Sequence, residues 1–300
     1  MANTYSNIAG IPLTVIAQET LPVLQKLLPK FSAFTSDFSG DASPVATAVV
    51  TRIPSVITAQ DWATGTGYAT MPATSSAVTI TLNNHKHITL GFTDVELQQG
   101  GLAMLQRTFV TPAIFGVVNA MASTVFTMVS CSNFPMVGYS GSAFTFDNFS
   151  SAIQALDLSG SQGPRNVILN TPTYFSLLSD VKQNYVIGDS SVIREGVIGN
   201  LAGAQVWEVP GFTNGGAIAG ALDSGFACTP SGIAIAARVP QVPGNLAYGE
   251  IASVTEPKSG FTIQLRSWYD MTLGQTKFST TVIYGAAVGN TSCLARIIAK

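Results

Sequence analysis

The 300 residues include 14 Lys and Arg and 16 Asp and Glu, so 10% are charged against 46% hydrophobic, and the formal net charge is −2. A soluble domain usually carries about 25% charged residues, so this chain is poorly equipped to keep a large free surface solvated and self-repelling. That composition disfavours a free monomer, favours a membrane protein or a large permanent assembly, excludes an intrinsically disordered chain, and supplies no basic footprint for gripping nucleic acid directly.

Residues 1–10 have no basic n-region, and Pro12 and Gln18 break the apolar stretch that follows, so no signal peptide is read. Thr20 and Pro22 place a capping hydroxyl near a first helical turn, predicting a short helix through Leu21, Leu24 and Leu28, closed by Pro29. Residues 45–53 and 77–90 are rich in Val, Ile and Thr, with alternation at Val78, Ile80 and Leu82, and read as strands. Between them, residues 64–76 hold Gly, Ser, Thr and Ala with no core-forming pattern. The result is a projecting two-stranded loop, marginal in water by itself and expected to rest on something else, such as another subunit. Asp61 and Trp62 open that loop, where a Trp is conspicuous and favours a subunit contact over a sugar platform.

The two histidines, His85 and His87, flank Lys86. On a strand they share a face, so a metal pair is geometrically possible, but no Cys or carboxylate lies nearby in sequence to complete it. They read instead as polar strand residues at a subunit contact or facing solvent. The same scarcity of bases, and the lack of a G-x-S-x-G elbow, leaves a Ser-His-Asp site unsupported.

A helical tract leads in over residues 94–106, is reset at Thr111-Pro112 and continues over 113–129, with Leu102, Leu105 and Phe109 on one buried stripe. Asp94 and Glu96 favour its N-terminal dipole. No charged side chain lies between Arg107 and Asp147, and residues 112–129 approach the ~20 apolar residues of a membrane span. Thr111, Asn119, Ser123, Thr124 and Thr127 interrupt that run and no basic cluster flanks it, so it reads as a buried helix.

Asp147 is expected to cap a helix with Phe149, Ile153 and Leu156 on one face and Gly160 past its end. Thr171-Pro172 opens another over 174–181. Further strands are predicted at 166–169, 205–209, 232–237, 251–255, 261–269 and 278–285. Strands and helices without a repeating βα unit make an α+β fold. Cys131, Cys228 and Cys293 are far apart, odd in number and in no metal spacing, so they read as buried, reduced thiols of a reducing cytoplasm. Gly65-Thr66-Gly67 and residues 199–203 lack the rest of any nucleotide fingerprint and read as turns.

Several stretches, taken in order over roughly residues 45–297, resemble the major capsid proteins of tailed double-stranded DNA phages, and most of all short podophage-type coat proteins. Val78-Thr79-Ile80-Thr81-Leu82 and His87 through Leu97 resemble the return strand of an extended loop running into a first helix. Residues 102–129 resemble a long spine helix, and Arg165-Asn166-Val167-Ile168-Leu169-Asn170 with Pro172 and Tyr174 the strand-to-helix passage of an axial domain. The most specific stretch is Ile193-Arg194-Glu195-Gly196-Val197-Ile198-Gly199-Asn200-Leu201-Ala202-Gly203, departing from the family at Ala204, where an aromatic is common. Gly260-Phe261-Thr262-Ile263, Tyr269-Asp270 and Ile283-Tyr284-Gly285-Ala286 resemble the returning C-terminal strands.

The resemblance implies the Hong Kong 97-like capsid fold: an N-terminal arm at 1–44, an extended β-hairpin loop at 45–90, a peripheral domain at 91–145 and 241–300, and an axial domain at 146–240. It implies a shell subunit assembling as pentamers and hexamers around double-stranded DNA, with no catalytic site and no cofactor. Residues 182–191 would meet at the capsomer centre, and 61–76 would make long-range contacts. Some relatives cross-link through a loop lysine, but the only lysine of this loop, Lys86, lies near its base, so no covalent weld is expected. No charged N-terminal segment has the size of a fused scaffold, which implies a separate scaffolding protein or none; a portal and a decoration protein are the remaining implied partners. Arg194 and Glu195 are expected to set the register of neighbouring subunits, as rim charges specify partners more than they stabilise them. An encapsulin-type compartment, a secreted β-rich surface protein and a hydrolase with an unusual site are the alternatives.

Overall fold

The computed structural model describes residues 32–41, 47–54, 59, 61–62, 75–100, 102–130, 132–139, 143–161, 163–184, 198–209, 223–241, 249–255 and 261–299. The helix predicted at 21–28, Gly65-Thr66-Gly67, Cys131, Arg194 and Glu195 lie outside these residues. In chain order the elements are β1 (Thr35–Asp37), β2 (Ala48–Pro54), β3 (Ser75–Thr81), β4 (Asn84–Thr93), α1 (Asp94–Gly100), α2 (Leu102–Phe126), β5 (Met136–Tyr139), α3 (Phe146–Leu158), β6 (Arg165–Leu169), α4 (Thr171–Asn184), β7 (Asn200–Leu201), β8 (Ala204–Glu208), β9 (Asp223–Cys228), β10 (Ile233–Arg238), β11 (Gly249–Thr255), β12 (Thr262–Asp270), β13 (Gln275–Val288) and β14 (Leu294–Ala299). The architecture is α+β, as the pattern of elements predicted.

β13 organises the first sheet. Its 14 residues pair antiparallel with β4 along 275–284, with β12 along 275–281 and with β10 along 283–288. Ile283 and Tyr284 pair with both β4 and β10, so β10 must lie on the edge away from β4, in line with β12. β11 and β1 complete the order β1-β10-β13-β12-β11. The second sheet runs β5-β14-β9-β6-β8-β7, and β2-β3 is a separate two-stranded ribbon.

α2 lies along the first sheet. Ile114, Val117, Val118, Met121 and Val125 recur at helical spacing and pack on Phe278, Val282, Ile263 and Leu265. Tyr284 Oη donates to Thr124 Oγ1 at 2.8 Å, tying helix to sheet. The helix runs unbroken through Pro112 instead of restarting there. The proline deletes one helical N–H, a cost that the packing of the following turns offsets. The stripe expected at Phe109 is only partly covered: that ring is 42% exposed and leans on Phe92, with centroids 5.8 Å apart.

The second core lies between the second sheet and α3 and α4, where Phe149, Ala152, Ile153 and Leu156 meet Val167, Leu169, Leu177 and Ile297. α3 is capped across the fold: Phe146 N–H donates to Asp180 Oδ2 of α4 at 2.8 Å, while Asp147 lies inside the first turn. α4 likewise takes its cap from Asn170, whose Oδ1 accepts from Thr173 N–H at 3.0 Å, one residue before the predicted Thr171. The turn after β7 has Ala202 and Gly203 at φ 49° and 76°, the two-residue hairpin geometry that needs two positive φ values. Phe34 joins the two sheets, stacking on Phe126 at 5.6 Å and meeting Phe226 edge-on at 5.2 Å.

The β3–β4 junction crosses β13 at Gly285, where an added Cβ would overlap the Thr81 carbonyl. Gly285→Ala is therefore expected to cost about 2 kcal/mol or more in denaturant unfolding. Gly40→Ala, with nothing within 4 Å of the added atom, should stay within about 0.5 kcal/mol. Equal stabilities would contradict this crossing.

Candidate interaction surfaces

The β2–β3 ribbon pairs from Ala48↔Thr81 to Pro54↔Ser75. The strand predicted at 77–90 is in fact two, divided at Leu82-Asn83, so that the ribbon folds back over the first sheet. Val49, Ile80 and Leu82 are buried against Ala234 and Ala236 of β10, whose small side chains let the ribbon approach. Its other side stays open, with Val50 60% exposed. Farther along, Asp61 and Trp62 are exposed and belong to no strand or helix; Trp62 is also 60% exposed. Lys86 is exposed in β4, opposite Val282 and near the ribbon's base. Asp61 and Trp62 are neighbours in the chain, whereas Lys86 belongs to a separate strand.

Beyond the ribbon's apolar footprint on β10 and Ile283, the face of the first sheet turned away from α2 is polar. His85 Nε2 lies 2.8 Å from Thr281 Oγ1, and His87 Nδ1 lies 3.1 Å from Thr89 Oγ1. Burial, reinforced by the nearby His87 and Arg266, holds the His85 imidazole below its ordinary pKa. Among the described residues no three His, Cys, Asp or Glu side chains gather to hold a metal ion. No described helix is long and apolar enough to cross a membrane.

Where β12 turns into β13, apolar side chains come to the surface: Val95, Tyr269, Met271 and Leu273 are all exposed. The corner is held by polar bonds. Tyr269 Oη donates to Asp94 Oδ2 at 3.0 Å, which raises the phenol pKa. Thr93 and Glu96 form a capping box, with Glu96 Oε2 accepting from Thr93 N–H at 2.9 Å. Lys277 Nζ donates to Asp270 Oδ2 at 2.6 Å.

No protein-family model matches this sequence, and no curated relative does. The fold, however, has counterparts among solved structures. A structure of Mycobacterium phage Che8 superposes with a TM-score of 0.58 at 17% identity, over 89% of this chain and 90% of that one. The capsid structure of the cyanophage P-SCSP1u gives 0.58 at 12% identity, over 85% and 84%. The mature capsid of bacteriophage PhiM1 gives 0.55 at 10% identity, over 90% and 86%. The chain has the phage capsid-protein fold.

Within this capsid fold, the exposed corner is the feature the sequence reading missed. Its signal was present: a hairpin turn is usually polar, and Met271 and Leu273 in the turn Asp270-Met271-Thr272-Leu273-Gly274 break that rule. Asp270 is the corner's ionic anchor, and its bond to Lys277 holds the carboxyl below the usual range. A lowered carboxyl pKa adds stability that is complete above the unfolded-state value and is lost as pH falls through the folded-state one. Asp270→Asn should therefore lower the melting temperature at neutral pH, and the gap to wild type should close as pH falls below ~4. A gap unchanged between pH 7 and pH 3 would contradict this anchor.

Proposed function

We propose that this chain is the major capsid protein of a tailed double-stranded DNA phage, self-assembling into pentamers and hexamers of an icosahedral shell that encloses the genome. The observation that carries this reading is the capsid fold, matched along nearly the whole chain by shell structures such as the cyanophage capsid and the empty GTA particle. Composition supports it independently. A subunit covered by neighbours on most sides needs few surface charges, and 10% suffices. Closed symmetry then turns one set of contacts into a finite shell. The chain's place is the virion capsid, after assembly in the host cytoplasm.

In this reading β2–β3 is the extended loop, α2 the spine helix of the peripheral domain, and the second sheet with α3 and α4 the axial domain. By pairing, β10 belongs to the first sheet and β14 to the second. Asp61, Trp62 and Lys86 meet a neighbouring subunit, and Arg194 and Glu195 set its register. Lys86 forms no covalent weld. A separate scaffolding protein, a portal and a decoration protein are the proposed partners, and the slightly acidic chain leaves DNA filling to an external motor.

Expression of the chain alone and with its flanking genes, followed by negative-stain microscopy and light scattering, tests the reading. Closed megadalton shells are expected, with nucleic acid inside after infection; a monodisperse small oligomer under both conditions would overturn it, and packaged enzyme would turn it into an encapsulin. Trp62→Ala should change unfolding free energy by no more than about 0.5 kcal/mol yet reduce the yield of closed shells several-fold. Unchanged yield would remove Trp62 from the interface.

A further inference from the structure

β13 sets short hydroxyl side chains between longer basic ones on the strands beside it. Thr281 lies opposite His87 on β4 and Gln264 on β12; Ser279 lies opposite Thr89 and Arg266. Directly opposed residues share a face, so these six side chains line one trough on the polar side of the sheet. Its floor is hydroxyl: Thr89 Oγ1 donates to Ser279 Oγ at 2.9 Å, and Ser279 and Thr281 are almost fully covered. The threonine contacts of His85 and His87 engage one nitrogen of each ring and set the ring centroids 6.2 Å apart. Arg266 Nε donates to Gln264 Oε1 at 2.7 Å, while its Nη2 is buried and has no hydrogen-bond partner among the described residues.

A buried guanidinium N–H calls for an acceptor. The only described carboxylate on this face is Asp270, at the far end and held by Lys277; Arg238 on β10 adds positive charge opposite Ile283, and Lys86 and Glu250 lie on the reverse face. A metal ion is opposed by Arg266 and lacks a third ligand. An anion is favoured, because its arrival would satisfy the guanidinium and make protonated histidines into additional donors.

We propose that this trough binds an oxyanion, a carboxylate or a phosphate-like group, between Arg266 and the pair His85 and His87, over the Ser279 and Thr281 hydroxyls. Binding is linked to proton uptake by the histidines, so acidification tightens it. The anion comes either from solution or from a carboxylate of a second copy; the second source alone rests on the shell reading.

Sulfate is the probe, since its charge is constant over the range tested. Isothermal titration of the full-length chain in about 0.15 M salt should show one site per chain, at least about tenfold tighter at pH 5.5 than at pH 8. Arg266→Gln should abolish it. His87→Asn, at an exposed position, should preserve binding at pH 8 and remove much of the gain at pH 5.5. Should Arg266→Gln fail to fold, Arg266→Lys should weaken binding at both pH values. Sulfate held equally by dispersed and assembled protein identifies a solution ion, whereas sulfate excluded on assembly identifies a neighbour's carboxylate. If no shell forms, the dispersed chain still decides the site. The absence of a saturable site, or one indifferent to the Arg266 variants, would overturn the proposal.

Discussion

The backbone hydrogen bonding of one strand holds the architecture together. β13 offers both edges along most of its length, and each section of edge is taken by a different partner: β4 on one side, β12 and then β10 on the other. Those partners come from distant parts of the chain, so the strand brings the ribbon's base, the middle of the chain and the C-terminal hairpin into one register. Its apolar side receives α2, and its polar side carries the histidine trough. A one-residue slip would exchange these two sides and destroy both at once. Register is therefore specified by burial on one face, and the polar face inherits its geometry from it.

Charge scarcity has its consequence at the surface. The ion pair Asp157–Arg165 is 41% exposed at both side chains, where such a pair contributes at most about 1 kcal/mol. Apolar side chains such as Val50, Trp62, Met271 and Leu273 stand in solvent instead. A monomer gains nothing from them, but a subunit that buries them against copies of itself gains the transfer free energy of each. The ribbon follows the same logic, since it is packed on β10 along one side only and a two-stranded ribbon has little stability of its own.

Much of this was legible in the sequence, wherever local physics decides the outcome. Val78 and Ile80 alternate because one side of the ribbon is covered, and Phe149, Ile153 and Leu156 recur because one side of α3 is. What escaped was decided at long range. The cap of α3 comes from Asp180 on another helix, so the adjacent Asp147 was a reasonable but mistaken choice. β14 holds a fully buried Arg296 within an apolar run, and β9 has neither alternation nor β-branched residues, so neither announces a strand. The break at Leu82-Asn83 is marked in residues 77–90 only by Asn83 and Asn84, where the apolar alternation stops before resuming at Ile88. The histidine pair was visible in sequence, but Arg266 joins it only through the register of β4, β13 and β12.

Hydrogen exchange with mass-spectrometric readout, compared between dispersed and assembled protein, tests most directly whether this surface exists to be covered by copies of the chain. Assembly should add protection to the β2–β3 ribbon and to the corner around Val95 and Met271–Leu273, while β13, already paired on both edges, stays unchanged. Assembled particles in which the ribbon and the corner exchange as fast as in the dispersed chain would contradict it.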